Sequence, residues 1–292
     1  MIKVLNSVKD YFSLVKFSHT VFAMPFALIG FTLAVSKPEY SFSLKLLLLV
    51  ILCMIFARNS AMGFNRIADR HFDSLNPRTK KREIPAGVIS ARSATVFVLI
   101  NAALFIITTS FINKLTLFLS PVALLVIFGY SLTKRFTALC HFILGLGLSL
   151  APIGAYISVT GKFSLLPVLY SFIVLSWVSG FDIIYALQDD EFDKSNELHS
   201  LPSAAGRKKA LAISIFVHLI SFLLVVAAGI YGQVGLLFWT GAAVFTGLLI
   251  YQHSIVKHDD LSKVTLAFGT TNGIASILFA IFVIIDIIIH NA

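Results

Sequence analysis

Apolar residues run through this sequence in long continuous stretches, and polar residues collect between them. Read as helices, the stretches place spans at about 18–36, 43–64, 93–111, 115–131, 138–159, 164–187, 209–230, 233–252 and 264–289. Each is close to the ~20 residues a helix needs to cross ~30 Å of hydrocarbon. Membrane β-barrels give short alternating segments instead. The pattern therefore predicts an all-α polytopic membrane protein, with about nine transmembrane helices in one bundle and residues 1–292 forming a single integral-membrane domain. Lys3, Lys9 and Lys16 before the first run would also suit a signal peptide, with Leu33-Ala34-Val35 as its cleavage site. His19 and Pro25 look like parts of a packed bundle, so an uncleaved first span is the reading taken. Pro and Gly inside the runs, among them Gly30, Pro121, Gly145 and Pro152, allow close helix packing and kinks.

Composition agrees: 58% of residues are hydrophobic and 13% charged, and the mean hydropathy is +0.90. The Lys and Arg residues are distributed unevenly. The N-terminal segment and the connections after the second, fourth, sixth and eighth runs hold 18 of the 23. The other connections have only Lys37, Lys45, Lys114 and Lys162, and Arg58 lies within the second run. By the positive-inside rule the N-terminus and the long polar loops are cytoplasmic and the C-terminus is outside. Topology and contact with anionic membrane lipid account for the net charge of +9, and nothing in it calls for nucleic acid. Cys53 and Cys140 both fall in apolar runs and match neither a disulfide framework nor a metal-ligand spacing.

Most of the polar chemistry is then on one membrane face, in the loops 65–92 and 188–208. The first opens with NRIADRHFD, which spaces Asn65, Asp69 and Asp73 four apart; the second, YALQDDEFD, does the same with Asp189 and Asp193. Four spans separate the two, which hints at a duplicated four-helix unit. Residues four apart share a helical face at ~5–6 Å, so each aspartate pair would repel unless a cation lay between them. Carboxylates with an amide suit a hard ion, and Mg²⁺ fits best where carboxylates are few and a substrate phosphate completes its shell. The plainer alternative is two solvated acidic loops. Arg66, Arg70, Arg78, Lys80, Lys81 and Arg82 accompany the first motif, mostly as the positive-inside rule expects. Lys134 and Arg135 follow Tyr130 in a turn too short to be a solvated tail. Donors of this kind suit the charge that accumulates on a departing diphosphate.

NRIADRHFD resembles the NxxxDxxxD motif, and YALQDDEFD the DxxxD motif, of the UbiA superfamily of intramembrane prenyltransferases. The NPRTKKREIPAG loop and the TKRFT turn are similar to theirs and stand in the same order, and the likeness extends from HTVFAMPFA (19–27) to the ninth span. The strings TKRFTALCH, APIGAYISVTG, GFDIIYALQD and LHSLPS look most like bacterial 4-hydroxybenzoate polyprenyltransferases, including a subset on the futalosine route to menaquinone. The resemblance implies a nine-helix bundle around a central cavity, in a bacterial cytoplasmic membrane. It implies Mg²⁺ on Asn65, Asp69, Asp73, Asp189 and Asp193, with Arg66, Arg70, Arg82, Tyr130, Lys134 and Arg135 around the diphosphate. A polyprenyl diphosphate would ionise to an allylic cation, which an aromatic acid acceptor attacks: 4-hydroxybenzoate, or alternatively a dihydroxynaphthoate. Arg66, where many relatives have aspartate, and the extra acid Asp190 depart from the pattern and leave the metal shell open.

Two charges lie deeper. Arg58 is about 16 Å below Asp69 and Asp182 about 10 Å below Asp189 at ~1.5 Å rise per residue. Intramembrane ionisable groups usually face a cavity and pair. An Arg58–Asp182 ion pair would fix helix register; alternatively Arg58 anchors the acceptor's carboxylate while Asp182 or Tyr185 orients its hydroxyl. His71 and His199 read as loop residues. A secondary transporter would also carry intramembrane charges, but it predicts helices interrupted at mid-membrane, whereas these acids cluster at one face. A CDP-alcohol phosphotransferase would need a DGxxAR-like pattern, which the chain lacks.

Overall fold

A computed structural model of the chain describes residues 9–16 and 22–290. His19 and the start of the first predicted span lie outside the described residues. After a short helix over 9–14 come α1 (Met24–Val35), α2 (Leu44–Ala68), α3 (Arg70–Leu75), α4 (Ala91–Ser110), α5 (Lys114–Thr133) and α6 (Cys140–Thr160). Then follow α7 (Leu165–Ala186), α8 (Asp190–Ser195), α9 (Leu201–Ala205), α10 (Arg207–Gly232), α11 (Leu236–Ile255) and α12 (Asn272–His290). Among the described residues eight helices are long and apolar enough to cross a membrane, and α1 is a shorter apolar helix. Together these nine match the predicted bundle.

Local sequence fixes several boundaries. Ser43 and Ser90 cap α2 and α4 by accepting from the backbone N–H of Leu46 and Ser93. Asn113 and Thr116 form a capping box at the start of α5. These caps satisfy backbone donors where the chain turns back toward the bilayer. The outward faces are apolar, with Phe118 at 76% and Leu236 at 81% exposure. The interior holds polar groups such as Asn101, Ser214 and Asn272, the distribution expected where lipid surrounds the molecule.

Helix α6 lies against α1, α5 and α7; α10 packs on α7, α12 on α11 and α1, and α4 on α2. Two glycines set close approaches of backbone to backbone. A Cβ on Gly30 would lie 2.0 Å from the carbonyl oxygen of Pro152, and one on Gly145 2.5 Å from that of Leu175. Backbone on both sides cannot yield cheaply, so the small residue is a packing requirement. Gly30→Ala is expected to destabilise by about 1–3 kcal/mol, the usual cost of overpacking, seen as a lower melting temperature in detergent. Unchanged melting would contradict this α1–α6 contact.

Both acidic motifs sit where a helix changes direction, which the simple one-face reading did not anticipate. Helix α2 ends at Ala68, Asp69 takes φ −89° and ψ 1°, and α3 begins at Arg70. In the second motif a 3₁₀ turn, Leu187–Asp189, separates α7 from α8, and Asp189 has φ −113° and ψ 4°. Both first aspartates occupy the sparse bridge region of backbone space, a region frequented by site residues.

Candidate active site

A cavity of about 650 Å³ runs into the bundle. Asn65, Asp69, Asp73, Asp189 and Asp193 line its polar end, with Arg66, Arg82, Tyr130, Lys134 and Arg135. Arg58, Asp182 and Tyr185 line it as well. Arg70 does not: it is exposed, and its guanidinium donates to the Ile67 carbonyl at 2.9 Å. One helical position separates it from the cavity-facing Asp69, and that turns its side chain outward. Lys80 and Lys81 are likewise exposed.

Asp73, Asp189 and Asp193 are each matched by a base. Arg82 Nη1 lies 2.7 Å from Asp73 Oδ1, and Lys134 Nζ 2.7 Å from Asp193 Oδ1. Arg78 grips Asp189 in a fork: its Nε donates to Oδ1 at 2.9 Å and its Nη2 to Oδ2. Asn76 Nδ2 also donates to Asp189 Oδ1, at 3.0 Å. Asn65 Nδ2 donates to Asp69 Oδ2 at 2.8 Å, and Ser200 Oγ to Asp193 Oδ2 at 2.9 Å. The first loop thus reaches across and holds the second motif through Asn76 and Arg78, joining two segments far apart in sequence. Arg78 was one basic residue among several in the sequence, and nothing in the spacing of Asn76 marked it. Asp190, the extra acid, is turned away and paired with Arg207 at 2.7 Å.

These pairings shift the ionisation of the loop groups. Burial, and then repulsion from Asp73, push Asp69 up to about 6, against the pull of Lys134, Arg135 and Arg82. Burial works against the charge on Lys134, but Asp193 outweighs it and the ammonium is held above its ordinary range. Arg78 is raised in the same way by Asp189 and Tyr185 against the cost of burial. The polar end of the cavity thus sets basic side chains directly beside carboxylates.

The deep pair takes a different form from the one considered in the sequence. Arg58 makes no ion pair with Asp182; its Nη2 donates to the Lys16 carbonyl at 3.3 Å, and its Nε is buried without a partner. Asp182 instead binds His141, with Oδ2 2.7 Å from Nδ1. His141, at the start of α6, sits one turn inside an apolar run, which is why it drew no attention in the sequence. Tyr185 stacks on Phe268 with ring centroids 4.1 Å apart, and its hydroxyl accepts from Arg78 Nη1 at 2.8 Å.

Residues 23–283 match the UbiA prenyltransferase family. The chain belongs to that family. Among curated proteins it is 32% identical over 238 residues to the 4-hydroxybenzoate octaprenyltransferase of Nitrosomonas europaea, covering 80% of each chain. It is 27% identical over 252 residues to the protein of the same name from Nitrosospira multiformis, covering 85% of each. Its fold matches the apo structure of a UbiA homolog from Aeropyrum pernix K1 with a TM-score of 0.79 and 30% identity, over 93% of this chain and 98% of that one. A UbiA homolog from Archaeoglobus fulgidus, bound to DMAPP and Mg²⁺, matches with a TM-score of 0.72 over 96% of this chain and 99% of that one; at 22% identity this likeness concerns the fold. This UbiA-family chain is an integral membrane prenyltransferase.

The donor chemistry of its polar end fits a hard divalent cation. All the motif ligands offer oxygen, and Asp73 Oδ2 is buried without a hydrogen-bond partner. The described residues gather no cluster of three or more His, Cys, Asp or Glu around one point. Two separated carboxylate pairs suit Mg²⁺ that shares its shell with a phosphate ligand better than an all-protein cage.

Proposed function

We propose that the protein transfers a polyprenyl group from a polyprenyl diphosphate to the ring of a hydroxylated aromatic acid, as a step in quinone biosynthesis. The observation that carries this is the cavity itself: acids and bases at one end, apolar walls below, and a lone arginine within. Residues 1–292 would act as one unit in a bacterial cytoplasmic membrane, with the N-terminus and the two acidic loops cytoplasmic and the C-terminus outside. The charge asymmetry of the connections supports that orientation.

Asn65, Asp69, Asp73, Asp189 and Asp193 would hold Mg²⁺, which supplies charge neutralisation at the diphosphate when bound. Arg82, Lys134 and Arg78 already stand beside these acids. They can share their hydrogen bonds with phosphate oxygens without crossing the cavity, and Arg66, Tyr130 and Arg135 line the same end. Charge-assisted donors of this kind are strongest when fixed in advance at the place where charge develops. Further in, Val50, Met54, Phe22 and Leu148 face the cavity and suit a prenyl chain while keeping water from a cation.

Arg58, with an unpartnered nitrogen, is the group suited to the acceptor's carboxylate. Arg58→Ala is expected to raise the acceptor KM at least about 10-fold, the loss of one charge-assisted contact, while the prenyl diphosphate KM stays within about 2-fold. An equal rise in both would contradict the assignment. The reading as a whole is tested by an acceptor screen with purified protein. Prenylated 4-hydroxybenzoate or a prenylated dihydroxynaphthoate, identified by mass, is the expected product; no product from any hydroxylated aromatic acid would overturn it.

A further inference from the structure

We propose that Asp182 is the base that accepts the acceptor's hydroxyl proton, and that His141 is its positioning residue. The proposal rests on the aromatic-acceptor reading above and deepens it.

Hydrogen bonding assigns the histidine's tautomer. The backbone N–H of Leu201 donates to His141 Nε2 at 3.2 Å. A backbone amide can only donate, so Nε2 holds the lone pair and Nδ1 carries the hydrogen. His141 Nδ1 then donates to Asp182 Oδ2 at 2.7 Å, which requires an acceptor oxygen there. Both residues border the cavity, but His141 is buried at 2% exposure while the Asp182 side chain keeps 21%. A purely structural His–Asp pair would be closed on both sides. Here the histidine is closed and the carboxylate opens onto the substrate space.

The neighbouring groups leave Asp182 alone in this role. Arg58 is a donor with no proton-accepting atom. The Tyr185 hydroxyl is taken by Arg78 and its ring by Phe268. Phe181, adjacent in sequence, offers only an apolar wall. A phenol such as tyrosine titrates near 10, so a neutral hydroxyl gains nucleophilic power at its ring carbons when a nearby carboxylate takes its proton.

The hydroxyl proton passes to Asp182 as the ortho ring carbon bonds to C1 of the prenyl group and the C1–O bond to diphosphate has broken. The product of that step is a prenylated cyclohexadienone. The hydrogen on the new tetrahedral carbon is then lost to water, and the oxygen regains its proton from Asp182, which restores the aromatic ring. One proton and one diphosphate leave in all.

Loop geometry ties this base to the diphosphate end. Leu201, which fixes His141, follows directly on Ser200, whose hydroxyl donates to Asp193 Oδ2. His199 N–H, in turn, donates to the Lys134 carbonyl at 2.7 Å. One short segment, 199–201, therefore touches both the acid that faces the diphosphate and the histidine that aims the base.

The test uses the purified full-length enzyme with Mg²⁺, polyprenyl diphosphate, and two acceptors: 4-hydroxybenzoate and a ring-fluorinated analogue with a more acidic hydroxyl. Asp182→Asn should lower kcat for 4-hydroxybenzoate about 10²- to 10⁴-fold, the range for general base catalysis, with the prenyl diphosphate KM unchanged. The loss relative to wild type should be clearly smaller for the fluorinated acceptor, which needs the base less. His141→Leu should lower kcat, and His141→Asn, whose amide can stand where Nδ1 stood, should restore much of it. Melting temperature in detergent reports whether each variant is folded. Activity of Asp182→Asn within about 3-fold of wild type would overturn the proposal. So would an equal loss for both acceptors, or a loss residing wholly in acceptor KM. A wild-type enzyme that releases diphosphate but prenylates no aromatic acid would remove the acceptor reading, and the base with it.

Discussion

Asp69→Ala and Asp189→Ala are each expected to lower turnover by at least about 10³-fold, since each removes a carboxylate from one of two halves that must act together. The two positions are equivalent in place: both stand at a helix bend, both line the cavity, and each is followed four residues later by a second buried acid. Asp69 holds Asn65, and Asp189 holds Arg78 and Asn76, so each removal also releases its partners. Effects of residues that act as one unit do not add. The double variant should therefore be little worse than either single one. Turnover within 10-fold of wild type in either single variant would break the two-half site. A mass assay of prenylated product reads both outcomes, with melting temperature as a check on folding.

Arg78→Ala is expected to have the next largest effect, a loss of about 10²-fold or more in kcat/KM for the prenyl diphosphate. Its guanidinium makes two hydrogen bonds to Asp189 and one to Tyr185. Removing it leaves a partly buried carboxylate without its main cation, which is more costly than losing an exposed pair. Arg78→Lys should recover only part of the loss, because a single ammonium cannot reproduce the fork. Arg70→Ala, eight residues earlier in the same basic stretch, should stay within about 2-fold of wild type, as its side chain is exposed and bonded to its own helix. Steady-state kinetics on the two variants decide the matter: equal losses would mean that net charge of the loop, and not the cross-loop contact, is what counts.

The nine apolar runs and the two acidic motifs could be read directly from the sequence, because both depend on spacing along one segment. Span limits at 43–64 and 164–187 match α2 and α7 to within about one helical turn. The partners of the acids were less accessible. Arg78 and Lys80 are two residues apart in a basic loop and both are exposed, yet it is Arg78 that binds Asp189. Only the path of the loop after Asn76 distinguishes them. The Arg58–Asp182 pairing was reasonable from depth alone, since both lie well inside the bundle. It fails because α6 brings His141 to Asp182, and a histidine at the start of an apolar run carries no periodic signal of its own. Asp190 could not be separated from Asp189 and Asp193 until Arg207 was placed beside it.

A transporter would share the intramembrane charges but would not make a new carbon–carbon bond. The most direct measurement is the incorporation of labelled polyprenyl diphosphate into a lipid-extractable aromatic product by the purified protein, with Mg²⁺ and after its removal by chelation. Labelled product is expected whose mass is the acceptor plus the prenyl group less one hydrogen, lost on chelation and restored by Mg²⁺. Movement of substrate across a vesicle membrane without such product, or product formation indifferent to chelation, would contradict it.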